Sequence, residues 1–292
     1  MPKSIDEAYA SASFASSADA TTPPPPIPAL RDYTPARVAL ARAGTSIATA
    51  PTLAFSLAHA QARDAVHSIL DVPALLAALR ARNLPAIAVQ SAATTRAEYL
   101  RRPDLGRTLA PTTILATEPG APSMRSHRMG GLSLAEANDP PSAIQLSTLT
   151  ILLADGLSAL ATQTHAIPIL DALLPMLDET WRLTPIVIAT QARVALADPI
   201  AHALHADASL ILIGERPGLS SSDSLGAYLT WAPRPGRTDA ERNCISNIRA
   251  HAGLDYDTAA HKIAALLHEA RRLRLTGIPL REPDLAIIPP PA

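Results

Sequence analysis

The 292-residue chain has a single cysteine, Cys244. No disulfide framework can form within it, and a reducing cytosol is the expected home. Aromatic side chains are scarce at 3% while alanine is abundant, so a core has to be assembled from Leu, Ile, Val and Ala. The formal charge of −1 gives no electrostatic reason to expect nucleic acid or a membrane surface as partner. No segment approaches the roughly 18 consecutive apolar residues of a membrane span. The amino terminus lacks the charged start, apolar block and cleavage site of a secretory signal. Several catalytic signatures are also missing: the Gly-x-x-x-x-Gly-Lys-Ser/Thr phosphate loop, a Gly-x-Gly-x-x-Gly turn after a strand, and a Gly-x-Ser-x-Gly elbow. His202 and His205 stand three apart without further ligands at metal-site spacing. Cys244 has no histidine close in sequence to activate it, so it reads as a small hydrophobe.

What is present is organised around SLILIGERPGLSSSDSL, Ser209 to Leu225. Leu210 to Ile213 is a short apolar run that predicts a buried strand. It opens into a Gly/Pro-shaped polar loop containing Glu215 and Arg216. In α/β folds, ligands bind outside the carboxyl ends of such strands.

The length suggests two domains, or one with extensions. Residues 1–30, Ala/Ser-rich with four successive prolines at Pro23 to Pro26, read as a disordered tail with a polyproline spacer. Residues 31–109 read as a smaller, mainly helical region. Helices are expected over Thr52 to Leu70 and Val72 to Leu79, a polar turn at Arg37 to Gly44, and a strand at Leu84 to Val89. Within it, Tyr99 stands beside Arg101, Arg102 and Arg107, a group suited either to an anionic partner or to a solvated turn. Residues 110–145 are Pro/Gly/Ser-rich and predict a loop-rich insertion.

From residue 146 to 292, strands and helices alternate. Strands are expected at Leu149 to Leu153, Pro185 to Ala189, Leu210 to Ile213 and Ala227 to Trp231. A helix interrupted at Pro168 follows the first strand, and Val194 to His205 holds the next. Asp257 is expected to cap a long amphipathic helix, and the tail from Pro279 reads as irregular. This pattern predicts an α/β fold: a Rossmann-like, mostly parallel sheet with flanking helices. Three strand ends then share one edge, at Asp155-Gly156, Thr190 to Val194 and Gly214 to Arg216. Asp155 is expected to cap the helix that follows it. A crevice with one carboxylate, arginines, hydroxyls and many backbone groups suits a large, mostly neutral, amide-bearing ligand.

Five blocks in order resemble the small (light) subunit of ethanolamine ammonia-lyase: YLRRPDLGRTL at Tyr99 to Leu109, LLADGLSA at Leu152 to Ala159, GERPGLSSSDSL at Gly214 to Leu225, WAPR at Trp231 to Arg234 and ERNCISNI at Glu241 to Ile248. The resemblance implies an adenosylcobalamin-dependent lyase that converts ethanolamine to acetaldehyde and ammonia by a radical mechanism. It implies a large TIM-barrel subunit that holds the substrate, and a small subunit that closes over the cobalamin. The partner is that large subunit in a hetero-oligomer, with neither nucleic acid nor membrane involved. The location is cytoplasmic, within a bacterial microcompartment. The cofactor keeps its own lower base, so no histidine of this chain ligates cobalt. By motif, Val194, Glu215 and Cys244 are implied as cofactor contacts, with Arg216, Ser246 and Asn247 behind them. No residue of this chain is assigned to catalysis or to a metal. Two other classes compete: a stand-alone nucleotide-binding oxidoreductase, which would need the missing glycine fingerprint, and a non-catalytic scaffold that keeps the fold.

Overall fold

The computed structural model describes residues 36–38, 40–111 and 146–280. The expected amino-terminal tail, residues 112–145 of the insertion and the segment from residue 281 lie outside the described residues. The chain divides into two compact units, Met1–Thr52 and Leu53–Ala292. In the first, β1 (Arg42–Ala43) and β2 (Ser46–Ile47) pair antiparallel, so the predicted polar turn is a short hairpin. Gly44 takes φ +62° in its two-residue loop, a conformation that only glycine adopts freely. Helix α1 (Thr49–His67) starts in this unit and continues into the second.

The second unit holds a seven-stranded sheet. Its strands are β3 (Ala86–Gln90), β4 (Ser147–Ala154), β5 (Trp181–Leu183), β6 (Ile186–Thr190), β7 (Ala208–Gly214), β8 (Leu225–Trp231) and β9 (Asn243–Ile248). The order is β3-β6-β4-β7-β8-β9, with β5 pairing the start of β4 on the side that β6 takes further along. Thus β5 and β6 form nearly one strand, broken at Thr184-Pro185, where proline has no N–H to donate. β3, β6, β4 and β7 run parallel, whereas β8 and β9 are antiparallel to their neighbours. The sheet is therefore mostly parallel, as the alternation predicts.

The side chains of β4 and β7 alternate between two apolar layers. Leu149, Ile151 and Leu153 share one layer with Leu210 and Leu212. Helices α2 (Val72–Arg80), α4 (Ala159–Leu173) and α6 (Tyr256–Leu273) cover it through Leu75, Leu79, Ile169, Leu173, Ile263 and Leu267. Leu152, Ala154, Ile211 and Ile213 face the other layer, under α5 (Ala197–Ala203) with Ile200. A strand buried on both faces reads as a continuous apolar run, which is why LILI was recognisable. Each such Leu or Ile contributes about 1.5–3 kcal/mol of hydrophobic stabilisation.

Some local expectations are corrected. α4 runs through Pro168, its buried Ile169, Leu170 and Leu173 offsetting the missing hydrogen bond. Ser158, not Asp155, caps α4, accepting from Ala161 N. Asp255, not Asp257, caps α6, accepting from Thr258 N at 2.9 Å. β9 went unrecognised. Only Ile245 and Ile248 of it are buried, and a register shift against β8 breaks the two-residue period. β5 is too short to carry a pattern.

Two contacts close the sheet at its edges. Arg242 forms a fully buried bidentate pair with Asp198 of α5, at 2.8 and 2.6 Å, and also reaches Thr230 Oγ1. At the end of the sheet where the parallel strands begin, Trp181 of β5 and Trp231 of β8 meet edge-on, with ring centroids 6.4 Å apart. Among the described residues no helix is long and apolar enough to cross a membrane.

Candidate functional site

The connections out of β4 and β6 run in opposite directions across the sheet. From β4 the chain goes through α4 to β6; from β6 it returns through α5 to β7, on the other side of β4. The carboxyl ends of β4 and β7 therefore flank a topological switch point, where an α/β sheet leaves a crevice. A cleft of about 410 Å³ lies there.

Its floor is backbone. Leu157 N donates to Gly214 O at 2.9 Å, holding the loop after β4 against the end of β7. The contact requires two glycines. A Cβ on Gly156, which has φ +55°, would lie 2.1 Å from Gly214 O, and one on Gly214 would lie 1.9 Å from Ser158 O. Asp155 sits just below. Its carboxylate accepts from Gln191 N (2.8 Å) and Ala192 N (2.9 Å), and Arg96 lies 3.6 Å away. Burial pulls this carboxyl above the usual carboxylate range, against those two N–H groups and Arg96. Asp155 thereby fixes the turn after β6, where Gln191 takes φ +54°. The strain sits beside the cleft.

Tyr99, on α3 (Arg96–Arg101), comes from far along the chain. It is fully buried, and its hydroxyl donates to Ala192 O at 2.9 Å. Thr95 caps α3, accepting from Glu98 N, and Glu98 accepts from Thr94 N, which fixes the start of the helix that carries Tyr99. Two guanidinium groups stack on its ring, Arg193 at 4.4 Å and Arg96 at 4.8 Å from the centroid. Gly106 leaves room for this stack, since a Cβ there would lie 2.9 Å from Arg193 Cγ. Burial pushes the Tyr99 phenol far above its ordinary value, so it stays a neutral donor.

The third wall is the end of β7 with β8 and β9. Glu215 accepts from Ser224 Oγ and Ser246 Oγ, each at 2.5 Å, and from Asn247 N at 3.3 Å. The carboxylate thus ties three strands together. Oε2 takes two of these bonds and Oε1 one, so of about four acceptor positions one remains, on Oε1. Gly226 keeps the space beside it open, because a Cβ there would lie 2.9 Å from Oε1. Tyr228 lines the same wall and stands opposite Cys244 across the β8–β9 pairing. Burial and the Cys244 thiol push the Tyr228 phenol up. Desolvation by the surrounding strands raises the exposed thiol, against a hydrogen bond with Tyr228 and with help from the Glu215 charge, which favours the protonated thiol over a nucleophilic thiolate.

Of the residues singled out in the sequence, Val194 and Glu215 line the cleft together, with Arg216 at its exposed lip. Cys244 does not line the cleft; it is exposed on β9, paired across from Tyr228, and so is not the buried hydrophobe its surroundings in sequence suggest. Ser246 and Asn247 are bound to Glu215. Arg101 and Arg102 stay on the surface, Arg102 paired with Asp104. Reading Tyr99 with them missed its real neighbours, Arg96 and Arg193. Those contacts exist only in three dimensions, and only the abrupt Pro103-Asp104 turn hinted at a folded-in segment. His202 and His205 are exposed at the end of α5. Among the described residues no three His, Cys, Asp or Glu side chains gather at a metal-holding distance.

A mostly parallel α/β sheet with a switch-point cleft, floored by glycine backbone and walled by one tethered carboxylate, defines an α/β protein with a ligand-sized cleft at its strand ends. Residues 25–281 match the family model described as ethanolamine ammonia-lyase light chain (EutC). The ethanolamine ammonia-lyase small subunit of Azotobacter vinelandii is 51% identical over 254 residues, 87% of each chain. The small subunits of Pseudomonas aeruginosa and Bradyrhizobium diazoefficiens are each 48% identical, over 90% of this chain and 89% and 93% of theirs. The chain belongs to the ethanolamine ammonia-lyase small-subunit family.

Proposed function

We propose that this chain is the cofactor-closing subunit of an adenosylcobalamin-dependent ethanolamine ammonia-lyase, acting on ethanolamine only together with a large subunit that holds the substrate. Family membership across nearly the whole chain carries this reading. The name of its relatives, a small subunit, implies a larger partner in a hetero-oligomer. The same resemblance supports a cytoplasmic home, inside a protein-shelled microcompartment, and a Rossmann-like description of the sheet.

The cleft fits an edge of the cofactor rather than its whole. Its volume is that of a small-molecule pocket, smaller than a corrinoid with its nucleotide tail. The open acceptor position on Glu215 Oε1, kept clear by Gly226, suits an amide N–H of the corrin rim. Val194, half-buried at the turn after β6, offers an apolar contact. Cys244 offers a weak S–H donor beside Tyr228. When bound, adenosylcobalamin supplies the radical chemistry. This chain orients the cofactor and excludes water from it.

Co-expression with a candidate large subunit tests the proposal. Acetaldehyde should form from ethanolamine when adenosylcobalamin is added. Failure of the two chains to associate, or association without turnover, would sink it. Within an active pair, Glu215→Ala should weaken cofactor binding about tenfold, the equivalent of one lost charge-assisted hydrogen bond. Subunit association should fall much less. Equal loss of both would make Glu215 a strand clamp and nothing more.

A further inference from the structure

The charge of the cleft does not balance locally. Three charged side chains line it: Arg193, Glu215 and Arg216. The Glu215 carboxylate is already engaged by Ser224, Ser246 and Asn247. Arg96, on the far side of the Tyr99 ring, has the Asp155 carboxylate and the Gly156 and Val66 carbonyls. Arg193 has nothing comparable. Among the described residues its side chain makes no hydrogen bond and meets no carboxylate, and its Nε is buried without a partner. Arg216 is likewise unpaired among the described residues. A half-buried guanidinium held only by an aromatic face is costly unless an anion completes it. Stacking on Tyr99 and the tight fit against Gly106 hold it in place, so little freedom is lost when an anion arrives.

We propose that Arg193, with Arg216 at the lip, receives an anionic oxygen group of the ligand, and that this group is a phosphate ester. The planar fork of arginine matches phosphate oxygens two at a time. The proposal rests on the cobalamin reading, in which the nucleotide arm carries the ligand's one phosphate.

The test uses the assembled two-subunit complex and two probes that differ in that group alone, adenosylcobinamide and adenosylcobinamide phosphate, with binding measured by equilibrium dialysis. The wild-type complex should bind the phosphate form about tenfold more tightly. Arg193→Met, which keeps an unbranched stem beside Gly106 and removes the guanidinium, should bring the two probes close to parity and leave the phosphate-free affinity near wild type. Where Arg193→Met does not assemble, Arg193→Lys decides: a point charge without the fork should lower the preference several-fold. An unchanged preference in either variant overturns the proposal. So does equal loss of both probes, which would make Arg193 structural. Weaker subunit association in a variant whose assembled complex keeps the full preference would assign Arg193 to a carboxylate of the partner chain, and also overturns it. A wild-type complex that binds neither probe nor adenosylcobalamin removes the cofactor reading itself, and the phosphate site with it; one that binds adenosylcobalamin and both probes equally overturns the phosphate site alone.

Discussion

Gly214 is the residue on which the cleft depends most directly. Any side chain there would drive into Ser158 O and Asp155 O, both backbone atoms that cannot swing away. Gly214→Ala should therefore cost about 3 kcal/mol, readable as a lower urea midpoint with an unchanged slope. The same change at Gly236, where a Cβ meets nothing within 4 Å, lacks this clash, although its φ of +89° still disfavours a side chain. The sequence revealed Gly214 and Glu215 because a strand running into a Gly/Pro loop is a local signal. It singled out Tyr99 but not its neighbours, since its hydroxyl partner lies 93 positions away. It did not distinguish Arg193 from any other arginine, since what marks Arg193 is the absence of a partner, and partners are set by tertiary contact.

Helix α6 shows how a small end effect carries a large face. Its buried row, Ala259, Ala260, Ile263, Leu266, Leu267 and Ala270, packs on α4 and on β8 and β9. Asp255 accepts from both Thr258 N and Thr258 Oγ1 at its start. Asp255→Ala should cost about 1 kcal/mol in thermal or urea unfolding at neutral pH. The Thr258 hydrogen bonds hold the Asp255 carboxyl below its ordinary value of 3.8. A depressed acid stabilises the fold above its unfolded pKa and loses that contribution as pH falls through its folded one. The difference between wild type and Asp255→Ala should thus be complete at neutral pH and shrink below about pH 4. Alternation of helix and strand was legible because each parallel strand here is a short block of Leu, Ile and Val. The antiparallel pair was only half legible: β8 has a clean apolar run, but NCISNI buries two side chains and leaves the others half-buried or exposed.

Across the molecule, the Asp198–Arg242 pair links the helix after β6 to the loop entering β9. Burial pulls the Asp198 carboxyl upward; burial also works against the Arg242 cation, but the hydrogen bonds and charge of Asp198 outweigh it and raise the guanidinium. Asp198→Ala leaves that cation buried and alone, and should cost about 3–5 kcal/mol. Replacing both partners together, Asp198→Leu with Arg242→Met, should cost distinctly less, and a double-mutant cycle in urea measures the difference. Val194 stands four residues before Asp198, so loosening this pair should also loosen the cleft. The Trp181–Trp231 pair lies at the opposite end of the same strands. β7 runs from Ala208, opposite Trp231, to Gly214 at the cleft, about 20 Å away at 3.3 Å per residue. These are the only two tryptophans in the chain. The intrinsic emission of this protein is therefore a lamp fixed at the far end of the sheet. It reports melting of the strands but is remote from events in the cleft, and any lag between that light and loss of ligand binding measures how far the cleft can open while the sheet stays intact.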